Sequence, residues 1–285
     1  MSQMVNNPPP NAADARVPPA VPGQPPARRR WAHGADGAGY TMVSVVSIIV
    51  LIALWYTLTD ATQTVPELDF PSIRESWDAV TTLGTTLSSD AAATAYRMVV
   101  SWAIGCALGI AVGLWMARSK LFYHVVNPWI EALRPAPIIA LIPFTLVWFG
   151  LSDTGRIVLG VLAAFMTLVV TTATAARNVN PVAVRAARSL GASQGQVYRS
   201  IVLPAIFPQL VAALRVAAAL CWGVIVAAEF LGAQSGIGEL VLTASNSVNT
   251  PVVLVGTVCV TLEAFIFEAL LRIVTSRLTR WVERQ

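Results

Sequence analysis

Residues 179–215 read VNPVAVRAARSLGASQGQVYRSIVLPAIFPQLVAALR, and they decide how the rest of the chain is organised. Pro181 at the favoured first helical position, a short amphipathic run and then Gly191 predict a helix over 181–190 closed by a glycine turn. Ser193 is suited to cap a second helix, which is expected to reach Val202 and stop at Pro204. The stretch 177–208 is much longer than the roughly 4–6 residues of a simple connection. It carries Arg177, Arg185, Arg188 and Arg199 and no acidic residue. A helix, glycine turn, helix unit flanked by strongly apolar runs is a docking surface for a soluble partner on one side of a membrane.

Outward from this loop the composition leaves little room for a soluble domain. The chain has 285 residues, 55% hydrophobic and 12% charged, with mean hydropathy +0.65. Soluble domains carry about 25% charged residues. Apolar runs recur at 41–59, 98–117, 135–150, 156–174, 209–230 and 251–274. Most approach the ~20 residues that a helix needs to cross a bilayer. The expectation is therefore an all-α polytopic membrane protein with six transmembrane helices. The run 135–150 is short and holds Pro135, Pro137 and Pro143, which remove backbone donors. Such a break survives at membrane depth only inside protein or beside a wet cavity, so a broken helix in the bundle interior is expected there.

The basic residues set the orientation. Arg28–Arg30, then Arg118 with Lys120, then the 177–208 loop, then Arg272, Arg277, Arg280 and Arg284 alternate with segments poor in basic residues: 60–93, with six acids against Arg74 alone, 151–156, with only Arg156, and 231–250, with none. This alternation places both termini and the 177–208 loop in the cytoplasm. The net charge of +4 and pI near 9.3 belong to this topology signal, because no basic stripe is present to bind nucleic acid. Residues 1–40 hold eight of the eighteen prolines and no apolar run, and are expected to form a disordered cytoplasmic tail. The first apolar run lies too far in for a cleaved signal peptide and is expected to stay as an anchor. One membrane domain over 41–275 and a short cytoplasmic end over 276–285 complete the division.

Charges at membrane depth are functional candidates by default. Glu131 and Arg134 are three residues apart and can pair on one helix face. Arg215 is close enough to its helix end to snorkel into water. Glu229, near the outer end of its run, is assigned a gating or structural hydrogen bond, and Glu263 and Glu268 lie in the last run. Gly105, Gly109 and Gly113 repeat every four residues and make a flat face for close helix packing. Cys106, Cys221 and Cys259 all fall inside apolar runs without metal-site spacing, so neither disulfide nor metal is expected.

The run Arg185-Ala186-Ala187, three residues, Gly191, nine residues, Ile201, one residue, Leu203-Pro204 resembles the EAA loop of binding-protein-dependent ABC importer permeases. Arginine stands at 185 where the family pattern has glutamate. NPWIEALRPAPIIALIPFTLVWFGLSDTGRI (127–157) and VAAEFLGAQSGIGELV (226–241) are similar to segments of the taurine, alkanesulfonate and nitrate branch, and the likeness extends over about 40–280. The resemblance implies the type I importer permease fold. It implies uptake of a small anion, taurine- or sulfonate-like, with nitrate, aromatic carboxylate or a thiamine precursor as alternatives in the same branch. It also implies a homodimer of permeases, two ABC ATPase subunits and an extracytoplasmic substrate-binding protein. In that arrangement Ala186, Ala187, Gly191, Ala192 and Ser193 would enter a cleft on the ATPase.

No catalytic chemistry is expected of the chain itself. The phosphate loop of an ATPase needs a lysine after a glycine-rich run, and Lys120, the single lysine, follows Met116-Ala117-Arg118-Ser119. His33 and His124 have no nucleophile signature beside them, and no cofactor is expected. A secondary transporter driven by an ion gradient is the competing class; it requires paired broken helices at the midplane, and the sequence offers one break.

Overall fold

A computed structural model of the chain describes residues 37–61, 66 and 70–279. Of the tail expected over 1–40, only 37–40 are described, and they open a helix; residues 280–285 of the expected C-terminal end also lie outside the described residues. The described residues contain eleven α-helices and no strand. The chain divides into two compact units, Met1–Ala53 and Leu54–Gln285. The first consists, as far as described, of most of helix α1 (Gly37–Tyr56). Its aliphatic side chains from Met42 to Ala53 are exposed all round, the pattern of a helix whose solvent is lipid.

In the second unit a π-helical turn (Thr57–Ala61) ends the first span, and α2 (Ile73–Leu83) follows as a short amphipathic helix. Ser72 and Glu75 form a capping box that fixes the start of α2. Next come α3 (Thr85–Arg118), α4 (Lys120–Leu133), a 3₁₀ turn (Ile138–Leu141), α5 (Ile142–Phe149) and α6 (Asp153–Arg177). The loop pair α7 (Pro181–Ser189) and α8 (Gln194–Val197) leads through a π turn (Tyr198–Val202) into α9 (Leu203–Glu229). Finally, α10 (Ile237–Asn246) precedes α11 (Thr250–Thr279).

Among the described residues, five helical stretches, 42–61, 85–118, 153–177, 194–229 and 250–276, are long and apolar enough to cross a membrane. The sixth expected crossing is the pair 120–133 and 138–149, bent by 88° at the break that carries Pro135 and Pro137. Two expectations need correction. The connection at Arg118–Lys120 is not a plain loop: it opens α4, whose first turn is capped by Ser119 Oγ accepting from the Phe122 N–H at 3.2 Å. α4 is amphipathic and so forms no uniformly apolar run. Nor does Pro204 stop its helix. The Leu203 N–H donates to the Tyr198 carbonyl, five residues back, so the widened turn just before Pro204 absorbs the missing donor and the helix continues to Glu229.

The core of this unit is the packing of α3, α6 and α9. Met98, Leu159, Ala164, Leu168, Ala217, Cys221 and Ile225 are all buried there. α3 approaches α6 along Gly105, Gly109 and Gly113. A Cβ on these glycines meets α6 at 2.5 Å from the Val161 carbonyl, 2.7 Å from Leu168 Cβ and 2.7 Å from Thr172 Cβ respectively. Gly160 receives α3 in return, with Ser101 Cβ at 2.6 Å. In lipid the hydrophobic effect does not draw helices together, so van der Waals contact of this closeness supplies the association. Trp102 ties α3 to α9 by an Nε1–H donated to the Leu214 carbonyl at 3.0 Å, and its ring meets Phe267 of α11 edge-on at 5.3 Å.

Gly109→Ala is expected to lower the unfolding midpoint of the purified protein in detergent, by an overpacking cost of about 1–3 kcal/mol. Gly223→Ala, whose Cβ meets nothing within 4 Å, should leave the midpoint unchanged or raise it. Equal midpoints for Gly109→Ala and wild type would contradict the packing account.

Candidate functional site

Two constructions lie at opposite ends of α9: the hairpin of α7 and α8, and a cluster of charges around Glu229.

The hairpin begins with the Asn180 side chain accepting from the Val182 N–H at 2.9 Å, and Pro181 starts α7. Its end is a Schellman closure. The Ala192 N–H donates to the Ala187 carbonyl and the Gly191 N–H to the Arg188 carbonyl, both at 3.0 Å. This closure needs the left-handed φ of +85° at Gly191, which side chains with a Cβ resist. Ser193 then caps α8 in a second capping box, its Oγ accepting from the Gln196 N–H while the Gln196 side chain accepts from the Ser193 N–H. Val184, Ala187 and Ala192 pack on the core. Arg185, Ala186, Gly191 and Ser193 are exposed, and Leu190 at the tip is 89% exposed. Ala186 through Ser193 are therefore gathered around one turn. Ile201, Leu203 and Pro204 stand apart from that turn, in the π turn and the first residues of α9.

At the other end of α9, Glu229 is fully buried. Arg97 of α3 donates to it through Nη1 at 2.7 Å, Thr94 Oγ1 lies 3.0 Å from both of its carboxylate oxygens, and the Gly238 N–H donates at 2.9 Å. Arg97 also donates through Nε to Asp153 at 2.8 Å, and through Nη1 and Nη2 to the Ser235 carbonyl and hydroxyl. Arg156 donates to Asp153 and to the Gly232 carbonyl. Asp90 accepts from the Gly236 N–H, and Thr94 Oγ1 from the Ile237 N–H. The cluster thus sews the start of α6 and the 230–238 connection onto α3. Gly236 and Gly238 are required for this closeness: a Cβ on either meets Glu229 atoms at 2.6 Å, and Gly236 has φ +120°.

Arg97, Asp90, Asp153 and Arg156 were not legible as a site. Arg97 borders an apolar run, Arg156 and Asp90 read as topology markers, and Asp153 lies in a short turn. The one available signal is the pairing of an intramembrane Glu229 with the SGIG glycines that follow it.

Other intramembrane charges are paired more loosely. Glu131 and Arg134 approach at 3.9 Å with both side chains more than half exposed. Arg215 does not simply snorkel: its Nε faces Glu268 of α11 at 3.5 Å. Glu263 has a buried Oε2 with no hydrogen-bond partner among the described residues. No group of three or more His, Cys, Asp or Glu suited to a metal occurs among the described residues.

A family model described as binding-protein-dependent transport system inner membrane component matches residues 109–280. The taurine transport system permease protein of Escherichia coli (strain K12) is 32% identical over 246 residues, which are 84% of this chain and 89% of that protein. The nitrate import permease protein of Leptolyngbya laminosa is 27% identical, covering 82% of this chain and 86% of its own. A putative aliphatic sulfonates transport permease protein of Bacillus subtilis (strain 168) is 26% identical over 65% of this chain and 67% of its own. Among solved structures, an inward-facing methionine ABC transporter chain matches with TM-score 0.55 and 24% identity over 67% of this chain and 97% of that one, a likeness of fold.

Breaking the buried ion pair on one side should be costly. Glu229→Leu leaves Arg97 short of its partner and is expected to cost about 3–5 kcal/mol, read as a lowered unfolding midpoint in detergent. Adding Arg97→Met should recover part of the loss in a double-mutant cycle. Strictly additive losses would contradict the pairing.

Proposed function

This chain belongs to the binding-protein-dependent transport system inner membrane components, multi-pass proteins of the bacterial inner membrane, and from that premise we propose that it imports a small sulfonate such as taurine. It is not an enzyme: it is the permease subunit, and ATP is hydrolysed by a separate subunit. The cargo reading is supported by the taurine and aliphatic sulfonate permeases among its relatives. Nitrate, a smaller oxyanion, is a second reading favoured by the nitrate permease relative.

The mechanism is alternating access. Two copies of the chain stand side by side with both termini in the cytoplasm, two ATPase subunits bind the α7–α8 hairpins, and an external binding protein delivers the anion from the other side. Closure of the ATPases moves the hairpins, and the bundle exchanges one opening for the other. The observation that carries the coupling role is the hairpin itself, a rigid Schellman turn at Gly191 presenting an exposed Leu190 among small side chains. Ala186, Ala187, Ala192 and Ser193 leave the turn slim enough to enter a groove, while Arg185 and Arg188 supply charge at its edge. Ile201, Leu203 and Pro204 act as the stem that carries the movement into α9. The buried cluster around Glu229 holds the opposite end of α9 to α3, so that displacement at the hairpin moves a joined unit.

Gly191→Arg tests this assignment. Uptake of taurine by the reconstituted transporter and its substrate-stimulated ATP hydrolysis should both fall by about tenfold or more, the loss expected when 1.4 kcal/mol or more of coupling is removed. Membrane insertion should persist. Unchanged uptake would overturn the docking role.

A further inference from the structure

Two cavities of about 300 Å³ each lie along α6. The first is lined by Tyr123, Asn127 and Glu131 of α4 and by the end of α6 at Thr174 and Arg177. The second is lined by the 138–141 turn and by α6 from Leu162 to Thr171, with Leu220 of α9. Together they follow α6 from Asn178 back to Leu162, a length of roughly 24 Å at 1.5 Å per residue. Arg134 and Val170 line both. Arg134 thus borders both cavities, and in the second it is the one charged side chain among the lining residues.

The backbone that follows Arg134 is the 88° break. Pro135 and Pro137 bring no N–H to the carbonyls one turn earlier, and irregular backbone at membrane depth is stable where it borders protein or a water-filled cavity. The break therefore has a reason to be wet. Arg134 is held weakly: its neighbour Glu131 lies 3.9 Å away, with the side chains 61% and 54% exposed. Pairs of that kind contribute little and are easily exchanged. By contrast, the buried guanidinium groups of Arg97 and Arg156 are committed to carboxylates at 2.7–3.0 Å, Arg97 to Glu229 and Asp153 and Arg156 to Asp153. Arg177 is stacked 3.9 Å over the Tyr123 ring at the end of the first cavity.

We propose that Arg134 is the anion-contacting residue of the translocation path, the guanidinium that a small oxyanion meets beside the two cavities, at the break between α4 and residues 138–149. Its planar fork matches a sulfonate or nitrate. Glu131 is the competitor that lets the anion go, because conduction requires a site strong enough to enter and weak enough to leave. The assignment rests on the importer reading above, and deepens it by naming where the solute is touched.

The test uses the complete transporter, with its ATPases and binding protein, in liposomes, carrying Thr171→Cys after the native Cys106, Cys221 and Cys259 are replaced. Thr171 lines the second cavity beside Arg134. Its labelling is compared for a sulfonate-bearing and a trimethylammonium-bearing thiosulfonate reagent. With Arg134 present the anionic reagent should react faster by about tenfold, the local enrichment a focused charge produces. Arg134→Gln should abolish that preference and Arg134→Lys should keep most of it. Taurine uptake should fall with Arg134→Gln in parallel. An unchanged labelling ratio in Arg134→Gln, or a lost ratio with undiminished uptake, overturns the proposal. A preference that phosphatidylglycerol, added to phosphatidylcholine liposomes, suppresses by more than it lowers the ratio in Arg134→Gln also overturns it, since the guanidinium then holds a lipid phosphate. Loss of the ratio in a transporter that does not take up taurine at all supports the anion contact and removes the taurine reading instead.

Discussion

The structure depends on an ion pair that an apolar bundle should not tolerate: Arg97 and Glu229, 2.7 Å apart and both almost wholly removed from solvent. Burying either charge alone costs several kcal/mol, and direct attraction repays the cost only when the remaining hydrogen-bond capacity is also filled. Here it is filled. Thr94, the Gly238 N–H, Asp153 and both polar groups of Ser235 complete the coordination. The consequence is positional. The 230–238 connection has only turn hydrogen bonds of its own, such as Leu231 to Ala228 and Ala233 to Glu229, and the cluster fixes it, through Gly232, Ser235, Gly236, Ile237 and Gly238, onto the start of α6 and the first half of α3.

From that anchor the bundle runs along a contact made close by absent side chains. Gly105, Gly109 and Gly113 let α3 lie against the backbone of α6, and Gly160 returns the approach. A contact of this kind tolerates no slack, so α3, α6 and α9 behave as one body. The hairpin at the opposite end of α9 joins that body through a continuous helix, 194–229, in which a π turn takes up the defect that Pro204 would otherwise create. A partner pulling on α7 and α8 therefore acts on the whole bundle. The bend at Pro135 and Pro137 is flanked by two cavities.

Much of this was legible in the sequence, and what was missed shares a cause. The spans at 153–177 and 250–276 follow from apolar length, and the hairpin from Pro181, Gly191 and Ser193, because each feature is local in the chain. The α4 helix was missed because an amphipathic stretch does not stand out in a search for apolar ones. The passage through Pro204 was missed because the remedy, a π turn, depends on backbone register and not on residue type. Arg97, Asp90, Asp153 and Arg156 are scattered along the chain; only tertiary structure joins residues 90, 97, 153, 156 and 229 into one cluster. The pair of cavities at Arg134 is equally invisible to one-dimensional reading, although the run LRPAP marks where the helix must break.

An ATPase that docks on the Gly191 hairpin must come within reach of its tip. The most direct measurement places a photoreactive residue at Leu190, the 89% exposed tip, in the transporter assembled in its membrane, and identifies what it captures on illumination. The account predicts covalent capture of the ATPase subunit, with a yield that changes between nucleotide-free and ATP-bound states. Capture of lipid alone, in a transporter that still imports its solute, would show the hairpin lying on the membrane surface and would contradict the account.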